Sequence, residues 1–346
     1  MPNYLPSPTR SFTIPSIYDG IRLACRIYLP DQLLESDTPS QWRVRGAILA
    51  HPYASLGGCY DDPVVSFIGG ELLDAGYVVG TFNFRGAGES EGRTSWTAKP
   101  ELADYVSFYG FMMLYLRFLR LSLTSRPDDE DVRGDIQLIL GGYSYGSLVT
   151  SHLPSSEVVA HLFNDGARGT PVQEIFLAAR TVCTESGEDI RTIGQPTPNI
   201  ESAAQSAKDV LHSSSTTVSY LLISPLLPPV NLFLTLFLDL SLEVDTQTSG
   251  QRKQIPCPKP TDQLCAHQTL AIYGDEDTFT SISKLRRWSD ELRSVPQSRF
   301  FSTEIKGAGH FWREDGVEEE AKHSLRQWLR QQPRFGVIPG KLRWFM

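Results

Sequence analysis

Residues 135–152 read DIQLILGGYSYGSLVTSH, and the order of residue types in this stretch decides the fold. Ile136 to Leu140 is a short, nearly continuous apolar run of the kind that a β-strand buried on both faces shows. Two glycines, Gly141 and Gly142, end it. Ser144 then stands inside the pentapeptide Gly142-Tyr143-Ser144-Tyr145-Gly146, and a helical run from Ser147 to His152 follows. Three fixed letters of this kind arise by chance in a chain of ordinary composition about one time in ten. The placement carries more weight than the letters, because a sharp turn between a buried strand and a helix lifts a serine hydroxyl above the end of a sheet. Side chains two residues before and after that serine would collide where strand and helix converge. Gly142 and Gly146 leave that space empty.

Working outward, GAILAHPY (46–53) and YVVGTFNF (77–84) are further buried-strand runs, with a helical pattern from about Pro63 to Ala75 between them. KPELADYVSFYGFMMLYLRFLRLSL (99–123) reads as one long helix with apolar positions near a period of 3.6. At the start, SFTIPSIYDGIRLACRIYL (11–29) alternates around Tyr18-Asp19-Gly20, which predicts an antiparallel hairpin. Downstream, SYLLIS (219–224), TLAIYG (269–274) and RFFSTEI (299–305) are strands. TSISKLRRWSDELRS (280–294) is an amphipathic helix capped by Thr280 or Ser281, and a last helix runs from about Val317 to Gln331. This rhythm predicts the α/β class: a mostly parallel central sheet with helices on both faces and its functional residues at the strands' carboxyl ends.

The rhythm breaks between about Pro154 and Thr216, which is rich in Ser, Thr, Gly and Pro apart from EIFLAAR and a helical run near Ile200 to Leu211. The expectation is a single domain over 1–346 with an inserted, lid-like segment at about 154–216. Residues 221–242, LLISPLLPPVNLFLTLFLDLSL, invite a membrane test, but Pro225, Pro228, Pro229, Asn231 and Asp239 interrupt them. A spanning helix wants about 20 predominantly apolar residues, so a buried strand followed by a core or lid helix is expected, without stable membrane insertion. Between that helix and TLAIYG, a Gln/Lys/Pro loop carries Cys257 and Cys265.

The net charge of -8 argues against a nucleic-acid partner, whose footprint is a basic stripe. Five scattered cysteines, none spaced CxxC, favour neither a disulfide framework nor a metal site and point to a reducing, cytoplasmic setting. MPNYLPSPTRSFTIPS has no apolar core behind a basic start, so no secretory signal is expected, and KLRWFM matches no prenylation or peroxisomal signal.

A serine hydroxyl needs a base to take its proton. His310 is the best of the seven histidines, because Lys306-Gly307-Ala308-Gly309-His310-Phe311-Trp312 links the last strand to the last helix and its small residues let a ring project. His51 also ends a strand, and its neighbours Pro52 and Tyr53 suggest a structural role. An acid should follow the strand before the histidine, where Asp275, Glu276 and Asp277 stand in GDEDTF. Asp277, further into the turn, is preferred over Asp275, with Glu276 behind both. The negative charge of a tetrahedral intermediate calls for two backbone amides, those of Tyr145 and Tyr53. Nucleophile, base and donors all come from the protein, so no cofactor is implied, and the expected partner is a small-molecule acyl substrate. The oligomeric state is not legible.

At these residues the chain resembles the α/β-hydrolase superfamily. More narrowly, it resembles hydrolases with an HPxxxxGG loop, an NFRGxGxSxG loop, a G-[YF]-S-[YF]-G turn, a GDxDxF acid loop and a GAxHF histidine loop. Here these are His51-Pro52 with Gly57-Gly58, Asn83 to Gly92, and the three loops above. The resemblance implies a serine esterase-like hydrolase with an acyl-serine intermediate, and the second aspartate of GDxD, Asp277, as the acid. It implies that the Arg85-Gly86 loop shapes the floor of the site without doing chemistry. An acyltransferase, lyase or cyclase would reuse the same residues, and a binding module would keep only the scaffold.

Overall fold

The computed structural model describes residues 4–34, 42–123, 136–164, 166–190, 215–235, 240–245 and 252–332. The strands in chain order are β1 (Arg10–Pro15), β2 (Arg22–Tyr28), β3 (Arg45–Ala50), β4 (Val78–Phe82), β5 (Ile136–Tyr143), β6 (Thr216–Ile223), β7 (Ser241–Asp245), β8 (Arg252–Pro256), β9 (Gln268–Glu276) and β10 (Phe300–Gly309). Eight of them form one sheet in the order β1-β2-β4-β3-β5-β6-β9-β10. The opening hairpin and its joint to β4 are antiparallel, and every later pairing is parallel. The helices are α1 (Asp31–Leu34), α2 (Pro63–Asp74), α3 (Lys99–Leu123), α4 (Tyr145–Thr150), α5 (Ser156–Asn164), α6 (Pro171–Ile190), α7 (Val230–Leu234), α8 (Pro260–Ala266), α9 (Ile282–Ser294) and α10 (Val317–Gln331).

The buried runs lack alternation because both faces of the sheet are covered. Successive side chains point to opposite faces, so Ile48, Leu138 and Leu140 join the core that contains α3, while Ala47, Leu49 and Ile139 join the one under α2 and α10. Helix α2 starts where its sequence says it should: Asp62 accepts the Val64 amide at 2.8 Å and Pro63 takes the first helical position, where a missing N–H costs nothing.

Two segments bear on the expectations. The first is the inserted segment. Its described part, α5 and α6, sheathes α3 instead of roofing the carboxyl edge, burying Phe163, Ile175, Ala179 and Val182 and setting Phe176 edge-on against Phe118 at 5.5 Å. The helical run near 200–211 lies outside the described residues. The physical reason lies in α3, buried almost all round from Pro100 to Leu119. A helix apolar on every face needs a cover. By length and composition α3 is apolar enough to cross a membrane, yet 78% of its most apolar stretch is buried inside the fold.

The second segment, 224–266, is a correction. A single apolar helix and a loop were expected, but α7 is only one turn long, and an antiparallel hairpin of β7 and β8 and the short helix α8 follow. Pro225, Pro228 and Pro229 deny a continuous helix its amide donors. Leu242 and Val244 of the hairpin are buried, and Lys99 at the start of α3 pairs with Glu243 at 2.8 Å. At its other end the segment meets the loop after β9, where the Leu227 amide donates to Thr280 Oγ1 at 3.3 Å. Among the described residues, the stretch from Ser224 to Leu227 therefore lies beside the loop that follows β9 at its carboxyl end.

Candidate active site

Ser144 sits between β5 and α4 with φ 55° and ψ -115°. A non-glycine residue held there costs about 1–3 kcal/mol and persists only where its surroundings fix it. The Ser144 amide donates to the Ile223 carbonyl at 2.9 Å, which ties the turn to β6. The two flanking glycines are sterically required. A Cβ on Gly142 would stand 2.3 Å from the Gly146 backbone, and one on Gly146 would stand 2.4 Å from the Ala50 carbonyl oxygen.

The structure brings Ser144, His310 and Asp277 together. Ser144 Oγ lies 2.8 Å from His310 Nε2, and His310 Nδ1 lies 2.7 Å from Asp277 Oδ2. All three residues are buried. With a carboxylate on Nδ1, that nitrogen carries the proton and donates, which leaves Nε2 to accept from the serine hydroxyl. Asp277 is itself held, since its Oδ1 accepts the amides of Phe279 at 2.8 Å and Thr280 at 3.0 Å. The competing carboxylates stand elsewhere. Asp275 Oδ1 accepts the Gly307 amide at 2.6 Å, clamping the start of the histidine loop, and Glu276 is exposed.

Other residues hold that loop and were not singled out in the sequence. The Tyr143 hydroxyl donates to the His310 carbonyl at 2.8 Å, so the residue before the serine carries the backbone of the histidine. The buried indole of Trp312 donates to Ser224 Oγ at 3.0 Å. No pattern in a single sequence separates such tyrosines and serines from packing residues.

Tyr145 opens α4, where the first amides have no intrahelical acceptor. Tyr53 follows β3, and its ring meets that of Tyr145 edge-on at 5.1 Å, which sets the two segments side by side. Neither amide is bonded to another described residue. His51 fixes the Tyr53 loop: Nδ1–H donates to the Pro52 carbonyl at 2.6 Å, and Nε2 accepts the Phe84 amide at 2.9 Å. In the loop after β4, Arg85 pairs with Asp104 at 2.7 Å and Asp19 at 2.9 Å, which ties that loop to α3 and to the opening hairpin.

Burial lowers the His51 pKa from 6.5 to about 4. The folded value lies below the unfolded one, so the stability this neutral ring contributes is whole above pH 6.5 and is lost as pH falls through about 4. Across that window the loss is about 3 kcal/mol. Urea titrations at intervals from pH 6.5 to pH 4 are expected to show stability falling more steeply in the native protein than in His51→Gln. Parallel curves would remove His51 from the account.

Several large apolar side chains are exposed in segments that follow strands of the main sheet. Leu56, Trp96, Leu232, Phe233, Phe279 and Phe311 follow β3, β4, β6, β9 and β10 at their carboxyl ends. A hollow of about 630 Å³ opens at the opposite, amino edge, lined by Arg43, Arg45, Glu71, Asp74 and Arg326 among others. There Glu71 already takes both forks of Arg326, and no candidate nucleophile is present. The hollow and the Ser144-His310-Asp277 relay therefore stand at opposite edges of the sheet.

No family model and no curated protein matches the sequence. Solved structures do match. One is an α/β serine hydrolase homologue from Coxiella burnetii, 15% identical, with a TM-score of 0.50 over 95% of this chain and 99% of that one. Another is an α/β serine hydrolase without lid from Xanthomonas campestris, 17% identical, with a TM-score of 0.51 over 96% of this chain and 99% of that one. Strand order, parallel register and these two likenesses agree that the chain has the α/β-hydrolase fold.

Proposed function

We propose that this chain is a serine hydrolase that cleaves a carboxylic ester or a related acyl bond of a small molecule through an acyl-serine intermediate. The observation that carries the reading is the buried relay in which Asp277 accepts from His310 and His310 accepts from Ser144, at 2.7 and 2.8 Å. His310 Nε2 takes the hydroxyl proton as Ser144 Oγ attacks the acyl carbon. Asp277 holds the tautomer and stabilises the imidazolium that forms. The amides of Tyr53 and Tyr145 receive the oxyanion, and losing one such donor typically costs about 3–4 kcal/mol of transition-state stabilisation. His310 then gives the proton to the departing oxygen, and water repeats the sequence on the acyl-enzyme.

The test is a fluorophosphonate probe followed by peptide mass spectrometry. A stoichiometric adduct on Ser144 that disappears in His310→Ala is expected. A folded protein that takes no probe, or takes it on another residue, would sink the reading.

A further inference from the structure

We infer that Phe279 and Phe311 form the leaving-group subsite and select esters of aryl-bearing alcohols. The inference rests on the hydrolase reading above and extends it to substrate class. In acylation the bond from Ser144 Oγ to the acyl carbon forms and the bond from that carbon to the alcohol oxygen breaks. The hydroxyl proton passes through His310 Nε2 to the alcohol oxygen. That oxygen must therefore lie within hydrogen-bond reach of His310, and the rest of the alcohol extends past the imidazole.

Two phenyl rings flank that imidazole. The Phe279 ring lies 4.4 Å from the imidazole centroid and the Phe311 ring 5.5 Å from it. They face each other edge-on at 6.0 Å. Both remain open, Phe279 36% and Phe311 50% exposed, although each hangs from a fixed backbone. The Phe279 backbone amide donates a hydrogen bond to Asp277 Oδ1, and Phe311 lies between His310 and the anchored Trp312. The Arg313 guanidinium sits 5.2 Å from the Phe311 ring and steadies its outer side. Exposed aromatic surface is unfavourable in water, and an L-shaped pair of rings with spacing near 6 Å suits a third ring set edge or face against them. Rigid presentation lowers the ordering cost of accepting one.

The competing role for the rings is to shield the imidazole from water, which would help every substrate equally. Benzyl and ethyl butanoate separate the two roles, because the alcohols are of similar acidity and both esters yield the same butanoyl-enzyme. The benzyl ester is expected to show the higher kcat/KM. Phe279→Ala and Phe311→Ala should each cut the benzyl-to-ethyl ratio about five- to tenfold, with Phe311→Tyr restoring it. The kcat/KM for ethyl butanoate should fall less than that for benzyl butanoate, and Ser144 should still take the probe. A ratio unaltered in both variants, equal losses on the two esters, or no benzyl turnover by protein that labels at Ser144 would each overturn the subsite. Failure of labelling at Ser144 itself would instead overturn the hydrolase reading.

Discussion

Ser144→Ala is expected to lower kcat on any ester the protein hydrolyses by about a millionfold, the scale found when a relay nucleophile is removed alone. The substitution deletes one atom, Oγ, whose partner is His310 Nε2 at 2.8 Å. Alanine keeps the Cβ, so the strain at φ 55° is neither relieved nor increased, and the amide bond to Ile223 persists. Stability should therefore change little while covalent catalysis is abolished. Residual activity of roughly 10³–10⁴ over water would remain from the oxyanion amides and substrate binding. Steady-state kinetics together with a thermal melt check both halves. Activity within a hundredfold of the native protein would remove Ser144 from the mechanism.

The positions of the parallel strands along the chain were legible because strands buried on both faces leave unbroken apolar runs, and each such run became a strand within a few residues of its reading, whereas their order in the sheet was not read. The turn at Ser144 was legible for a steric reason. Only glycine fits at 142 and 146, so the constraint is written in the sequence itself. The sheath on α3 was not read, although its signal was present. YVSFYGFMMLYLRFL is apolar on all faces, and a period of 3.6 accounts for one buried face only. What covers the other faces comes from α5, α6 and the β7–β8 hairpin, which are distant in sequence, and their pairing depends on tertiary contact.

The same divide runs through the candidate site. His310 and Asp277 stand in loops whose composition marks them, whereas Tyr143 acts through a hydroxyl aimed at the His310 carbonyl, a contact 167 residues away in sequence. His51 was read as structural from its neighbours, and its two ring bonds give that reading a mechanism by joining the loops after β3 and β4. Phe279 and Phe311 close the GDxDxF and GAxHF patterns, but the patterns give them no role. They gain meaning only when the fold sets both rings against one imidazole.

The second large effect is expected from Asp277→Asn, with a fall in kcat of about 10⁴. An asparagine at 277 can still accept the amides of Phe279 and Thr280 through its carbonyl oxygen, so the acid loop keeps its shape. Its amide group then faces His310 Nδ1 as a donor, which forces that nitrogen to accept and moves the proton to Nε2. A protonated Nε2 cannot take the hydroxyl proton of Ser144. Asp275→Asn is the matched control, two residues away and of identical chemistry. Its carbonyl can accept the Gly307 amide as the carboxylate does, so stability should move by no more than about 0.5 kcal/mol and kcat should hold. Kinetics of the two variants side by side test whether the histidine is governed by the charge that touches it or by the rigidity of its loop. Equal losses would point to the loop, since both aspartates anchor backbone amides near His310, and a loss confined to Asp277→Asn would point to the tautomer.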